Sequence, residues 1–507
     1  MARSNVPTWP PHLWGGDRSL TKFSHSADSG QTDKALTGLM ALVKQVLTRR
    51  QALVAAVAAG LGVGAVRLVT PTLTNISAGS GTDWASPLGS ESARIMQLLR
   101  RATFGYTPAQ LESALSAGFG KTVDRLIETK PAEPPALVAA TTPGGRFAVT
   151  QLQQWWVDHM LTTPTPFAER MTLFWHGHFT SDYRKAGDNT FMYWQNLTWR
   201  RMAMTNLGSM LMQVTTDPAM LRYLDLATSV ASNPNENYSR ELLELFAMGA
   251  DTFSEEDVRQ GAVALTGWQL PRPDSTAAAN GTGRMLPVYT SQKSGVFNQR
   301  RAFKGSVTYL GKTGALDTQG VIDRILAQPS TAPFITTRVL QHFVARQPAS
   351  SLVNRLADAF RRSKYDMKTL MRSVFTSDEF RGAGTYRALV KSPTEFMVQA
   401  ARALDATKLS KLIVASGSGM GQMLFDPPDV GGWPNNEAWI SSNTVIERVN
   451  FVTGALAQAT SLPPSSDAVK HQLDGIVGPQ TASMLNSATD ERIKWFVALA
   501  SPEFQLK

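Results

Sequence analysis

From Ser90 onward, apolar residues recur at spacings of three and four, the period that places one stripe of an α-helix against a core. Ile95, Leu98 and Leu99 form such a stripe in a helix that Gly105 ends. Thr107-Pro108 then supplies an N-cap and a first-turn proline for a helix with Leu111, Ala114 and Leu115 on its apolar side. Gly118 and Gly120 punctuate its end, Val123, Leu126 and Ile127 mark a third short helix, and Pro131 to Arg146 is a connector. Helical spacing continues at Gln151 to Met160, Phe167 to Trp175, Asn196 to Val214, Pro218 to Leu226, Asn235 to Met248 and Glu255 to Trp268.

It resumes at Thr318 to Ala327 and recurs to Asp490 to Ala500, near the end of the chain. Strict alternation is almost absent; Ser306 to Leu310 is the exception and predicts one strand of a small hairpin. The fold class expected is therefore all-α: a large multi-helix domain, as two packed helical lobes, with at most one small β-hairpin. Residues 86–270 would form the first lobe and 306–507 the second. Residues 271–305, polar and rich in Gly, Ser, Asn and Pro, would form the long loop between them, and loops of that length are usually functional or mobile.

Composition narrows this picture only a little. The chain has 507 residues, 43% hydrophobic and 18% charged, the balance of a globular protein with more than one ordinary core's worth of chain. It holds no cysteine, which removes disulfides, thiol nucleophiles and thiolate metal sites. The net charge of +10 comes from scattered Lys and Arg, without a long basic run, so no nucleic-acid partner is expected.

The N-terminal region reads differently. Thr48-Arg49-Arg50 precedes an Ala/Gly/Val-rich run from Ala52 to Val66, shorter than the roughly 20 apolar residues that span a bilayer. A charged flank and a short, mildly apolar stretch form the layout of an export signal, here of the twin-arginine type. Residues 48–85 are accordingly expected to be signal and linker, and 1–47 a disordered extension, with Met40 a candidate true start. The expected location is periplasmic, cell-wall or extracellular, with a membrane tether by an uncleaved signal left open. A buried Ala-rich helix is the alternative.

Candidate chemistry concentrates between Glu169 and Trp268. In the predicted Asn235 helix, Arg240 lies four residues after Glu236 and four before Glu244, so it can pair with both. Glu241 and Glu244 share a face, and a carboxylate pair on a helix is one way to hold a divalent ion. His176 and His178, one residue apart, would point the same way on an extended backbone, which Gly177 permits. Imidazole with carboxylate suits zinc, iron or manganese. The expectation is a pocket with His176, His178 and Glu236 as metal ligands and Glu241, Glu244 and Arg240 as the catalytic group. The competing reading makes the histidines hydrogen-bonding groups at a helix end and the acids a structural ion network. His159 and His342 read as satisfied interior histidines.

A second run, Leu424-Phe425-Asp426-Pro427-Pro428-Asp429-Val430-Gly431-Gly432-Trp433-Pro434 and on to Trp439, has three prolines and two glycines and must be a tight loop. Asp429, Trp433 and Trp439 are its candidate binding residues: the loop could cover a cleft and stack a sugar ring, or plug a seam between lobes. Phosphate loops, dinucleotide fingerprints, nucleophile elbows and His-Glu-x-x-His are all missing.

Together these runs resemble a bacterial family known only as domain of unknown function 1800. The matching segments include Leu98 to Gly105, Phe174 to Phe179, Asp217 to Asp225, Asn233 to Phe246, Ala264 to Trp268, Tyr309-Leu310-Gly311, Pro427 to Trp439 and Ser501 to Gln505. The resemblance implies an exported, mostly helical protein, often encoded beside a second exported family, number 1501, that looks like the phosphatase and sulfatase group. That co-encoded protein is the implied partner. The family often has a His-Asp pair where this chain has Arg301-Ala302-Phe303-Lys304, which puts one ligand or proton carrier in doubt. Two functions follow: a metal-assisted hydrolase acting on an extracytoplasmic substrate, with Glu241 or Glu244 as base, and a non-catalytic envelope protein binding a glycan or partner through Trp433 and Trp439.

Overall fold

The computed structural model describes residues 85–138, 146–278 and 285–507; the export segment and the extension before it lie outside the described residues, apart from Ala85. The described chain is mostly helical, as the spacing predicts. Among the described residues no helix is long and apolar enough to cross a membrane.

The first helix, α1 (Glu91–Ala102), is capped by the Ser90 side chain, and Thr107 with Gln110 forms a full capping box on the next, Pro108–Ala117. After the connector come α2 (Val149–Thr162), α3 (Pro166–His178), α4 (Asn189–Met202) and α5 (Leu207–Thr216). One helix was expected over Asn196 to Val214, but Asn206 splits it. Its side chain accepts the amides of Gly208 and Ser209, a cap that starts a new helix. The Asn235 region gives a short α6 (Asn237–Glu241) that widens into a π-helical turn over Leu242–Ala247. Farther on, α7 (Thr331–Phe343) and α8 (Pro393–Ala403) complete the surroundings of the site described below.

The β content exceeds the one hairpin expected. Val307–Tyr309 pairs antiparallel with Lys312–Gly314 through a two-residue turn in which Leu310 and Gly311 take positive φ, at the place predicted. Two more antiparallel pairs lie around the long loop: Trp268–Gln269 with Val296–Phe297, and Ser275–Ala278 with Met285–Val288. Trp268–Gln269 and Val296–Phe297 are only two residues long and Ser275–Ala278 is small and polar, so these segments are too short or too uniform to read as strands from the side-chain pattern.

The described residues belong to one compact unit, and its cores do not divide at the long loop. One core joins Leu98, Phe174, Trp175 and Leu243 with Ile335, Phe343 and Phe375. The other joins Trp156, Phe191 and Trp194 with Phe396, Phe451 and Trp495. Each draws on both sides of residues 271–305, so the expected lobes interleave.

Between the two cores runs α3, nearly every residue of which is buried. Its Glu169 is fully enclosed, bound by the Arg200 guanidinium at 2.5 and 2.9 Å and by the Trp156 indole N–H at 2.8 Å, with His159 at 3.4 Å. Burial would raise the carboxyl's pKa, but Arg200 and His159 hold it at about 2. A buried pair stripped of one partner leaves an uncompensated charge. Glu169→Gln should therefore lower unfolding free energy by about 3–5 kcal/mol in denaturant titration; a change below about 1 kcal/mol would show that the pair is not the anchor we describe.

Candidate functional site

The His176-Gly177-His178 run was expected to be extended; it is instead the last turn of α3. At 3.6 residues per turn, positions two apart face opposite ways. His176 is enclosed by Trp156, Phe425 and Trp433, with ring centroids at 5.0, 5.0 and 5.1 Å, and its Nε2 accepts the Phe425 amide at 3.1 Å. That bond, with the Tyr183 amide donating to the Phe425 carbonyl, holds Phe425 at a positive φ of 66°. His178 turns the other way, and its Nε2–H donates to the Phe246 carbonyl at 3.0 Å, at the C-terminal end of the π turn where carbonyls lack helical partners.

The acidic helix does not meet the histidines. Arg240 pairs with Glu255 at 2.8 Å and Glu236 at 3.4 Å, all partly exposed, and forms no ion pair with Glu244. Glu241 is half-buried; burial and then Glu244 lift its carboxyl above the usual range, against Arg240. None of Glu236, Arg240, Glu241 and Glu244 lines the cleft that His178 borders. The proposed metal set of His176, His178 and Glu236 therefore does not converge, and among the described residues no group of three His, Asp or Glu side chains is placed to hold a metal ion. The physical reason is helical geometry: continuing α3 through Gly177 separates two ligands that an extended strand would have aligned. Asp429 also departs from its expected binding role. It is exposed, and its side chain accepts the Gly431 amide at 2.8 Å, shaping the turn rather than facing a ligand.

What the fold does assemble is a cleft of about 110 Å³ between the end of α3, the face of α7, the start of α8 and the Pro/Gly/Trp loop. Gly177 and His178 line one side, Arg338, Gln341 and His342 another, and Glu395, Gln422 and Lys507 the floor. Trp433, Asn435, Asn436 and Trp439 form the roof. The tryptophans are buried with Val390, Val445 and Leu506 in a small core of their own. The loop is thus both cover and plug: its rings seal a seam while its edge borders open space. Gly432, at φ 88°, permits the contact, because a Cβ there would lie 2.5 Å from the Gly177 carbonyl oxygen.

Glu395 is the electrostatic centre of the floor. It is bound by the Arg170 guanidinium and the Lys507 ammonium, accepts the Ser392 amide at 2.7 Å, and has His342 Nε2 at 4.0 Å. Burial opposes its ionisation, but Arg170 and Lys507 hold the carboxyl far below its ordinary range. His342, expected to be interior, borders the cleft. Its Nε2 lies 3.3 Å from Arg170 Nη2, and since a guanidinium only donates, that nitrogen accepts and the imidazole is neutral. Burial, Lys507 and Arg170 push its pKa well below the usual value.

Sequence reading found the roof of this cleft but not its floor. Ser392-Pro393-Thr394-Glu395 is legible as a capping box, which reads as a solvated helix start. Arg338 sits one residue before Val339 on an amphipathic helix and reads as surface; Arg170 and Lys507 carry no motif. The Arg301-Ala302-Phe303-Lys304 stretch lies outside the cleft lining, with the Phe303 amide tied to the Thr266 hydroxyl at 2.8 Å.

Burial lowers the pKa of both His176 and His178 to about 3. Between that value and the unfolded value near 6.5, the unfolded chain takes up a proton that the folded chain refuses, so stability rises with pH across this window and falls on acidification. Each histidine should contribute about 1.4 kcal/mol of loss per pH unit below 6.5. Denaturant titrations at pH 7 and pH 5 should show His176→Gln losing about 2 kcal/mol less than the native chain; equal losses would refute the assignment.

Residues 97–506 match the model of a family described as "Protein of unknown function (DUF1800)". No curated protein and no solved structure matches the chain.

Proposed function

We propose that this chain, which belongs to the DUF1800 family of unknown function, is a non-catalytic binding protein of the cell envelope that holds the end group of a glycan or partner in the cleft under the Trp433/Trp439 loop. One observation carries the reading: the loop, the end of α3 and the face of α7 converge on an open, polar-lined space, while the acidic helix expected to do chemistry lies outside its lining and forms no metal-holding group with the histidines. The twin-arginine-type segment at Thr48-Arg49-Arg50 supports the location.

The two histidines and the carboxylate that border the cleft favour holding over reacting. A general base works best with a pKa near the ambient pH and a free lone pair. His342 has neither, being pushed down by burial and neighbouring cations with its Nε2 engaged by Arg170. Glu395 is saturated by Arg170, Lys507 and the Ser392 amide, so it is a weak proton acceptor. His178 spends its Nε2 proton on the Phe246 carbonyl. Size sets what can enter. Whole small-molecule ligands occupy roughly 300–1,000 Å³, and a water's share of liquid volume is about 30 Å³. A space of about 110 Å³ admits one functional group or three to four waters, so the rest of the ligand must lie outside.

Gly177 offers a clean test. A Cβ there meets nothing within 4 Å and the residue lines the cleft, so Gly177→Leu places a side chain in the space without displacing core atoms. On arrays of defined cell-wall saccharides and peptides, the native chain should capture at least one class without converting it. Gly177→Leu and Trp439→Ala should each weaken that capture roughly tenfold or more, with Gly177→Leu melting at the native temperature. Failure to capture any class, or undiminished capture by a folded Gly177→Leu chain, would refute the reading.

A further inference from the structure

We infer that the group held in the cleft is an oxyanion, a carboxylate, phosphate or sulfate at the end of the ligand, and that Arg338 is its principal partner. The inference rests on the binding reading above and adds the ligand's chemistry.

Arg338 lines the cleft from α7, and among the described residues it forms neither a hydrogen bond nor an ion pair; its guanidinium lies over the Phe334 ring at 5.2 Å. Partial burial, with no opposing carboxylate, draws its pKa below the ordinary value. A guanidinium presents five N–H donors in a fork that fits a carboxylate or phosphate. It is partly exposed, so its donors face the solvent of the cleft and an entering anion meets them without breaking a protein contact.

The floor supplies a second, independent observation. Arg101, Arg170 and Arg448 are buried cations that share Glu395 as counter-charge, and Lys391 and Lys507 lie buried among them, with burial drawing both ammonium pKa values down, that of Lys507 to about 7. Several donate to carbonyls: Arg101 to those of Phe343, Val344 and Thr385, Lys391 to that of Phe504, and Arg448 to that of Lys391. Carbonyl dipoles accept these hydrogen bonds without neutralising the charge, and Arg101 Nε, Arg170 Nη1 and Arg448 Nε remain buried without an acceptor among the described residues. A region of low dielectric with this excess of cations attracts an anion and repels a cation. The cleft is where it opens to a ligand, since Lys507 and Glu395 form its floor beside His342. The Asn435 and Asn436 amides on the roof make no side-chain hydrogen bond with a described residue, so they stand ready as uncharged donors.

The experiment is isothermal titration of the folded chain with sodium acetate, phosphate and sulfate, at ionic strength held constant with sodium chloride. At least one anion should bind saturably, and the ranking of the three identifies the class. Arg338→Gln should weaken that binding roughly tenfold or more, the scale of a lost hydrogen bond to a charged group. Arg362→Gln, which removes an exposed positive charge outside the cleft lining, should leave it unchanged. Melting of Arg338→Gln in chloride alone, at the native temperature, shows that the variant is folded. No saturable binding of any of the three, or equal weakening by Arg362→Gln, would overturn the inference. If a captured saccharide or peptide binds Arg338→Gln as tightly as the native chain and is lost only in Gly177→Leu, the binding reading stands and the oxyanion falls.

Discussion

A buried helix that carries ionisable side chains must find a partner for each of them, and in this protein that requirement organises everything around α3. Glu169 and Arg170 are consecutive, so they face different neighbours: Glu169 turns to Arg200 and Trp156, Arg170 to Glu395 and His342. Two turns on, His176 takes the amide of Phe425 and His178 the carbonyl of Phe246. Four polar groups on one helix thus clip it to α2, α4, α8, the Phe425 loop and the end of the π turn. The two hydrophobic cores pack on either side of these clips, which fix how they join. A displaced α3 would leave several buried groups unpaired at once, each costing about 1–3 kcal/mol or more.

The cleft is a by-product of the same arrangement. Because α3 ends at His178 and Gly432 presses against the carbonyl of Gly177, the Pro/Gly/Trp loop stops short of α7 and leaves a small open space. Glu395, which Arg170 of the helix binds, lines the floor of that space, with Lys507 and His342 beside it. Glu395 does not balance the cations gathered round it, and the cleft inherits the surplus. His178, His342 and Glu395, which border the cleft, are each engaged in a contact that also holds the fold.

Much of the fold was legible from spacing. The α1 stripe, the Thr107 N-cap with Pro108 after it and the hairpin at Val307 are local features, set by residues a few positions apart, and they appear where the pattern puts them. Errors arose where a local rule gave way. Asn206 ended a helix through a side-chain cap that apolar spacing does not reveal. Gly177 permitted an extended backbone, but packing of α3 between two cores kept it helical. The site divided in the same manner: Trp433 and Trp439 stand out as large apolar rings in a Pro/Gly loop, whereas Arg338, Glu395 and Lys507 look like ordinary surface charges.

By itself, then, the sequence determined the helical class, most helix starts, the place of the one predicted hairpin and the presence of a rigid aromatic loop, because each depends on contacts within a few residues. Tertiary structure alone decided which charges are buried, which histidine faces which way, and where the cleft opens. Arg170 meets Glu395 across 225 residues of chain and Phe425 meets His176 across 249. Pairings of that range obey no sequence period; they are chosen by the one packing that leaves the fewest buried charges without a partner.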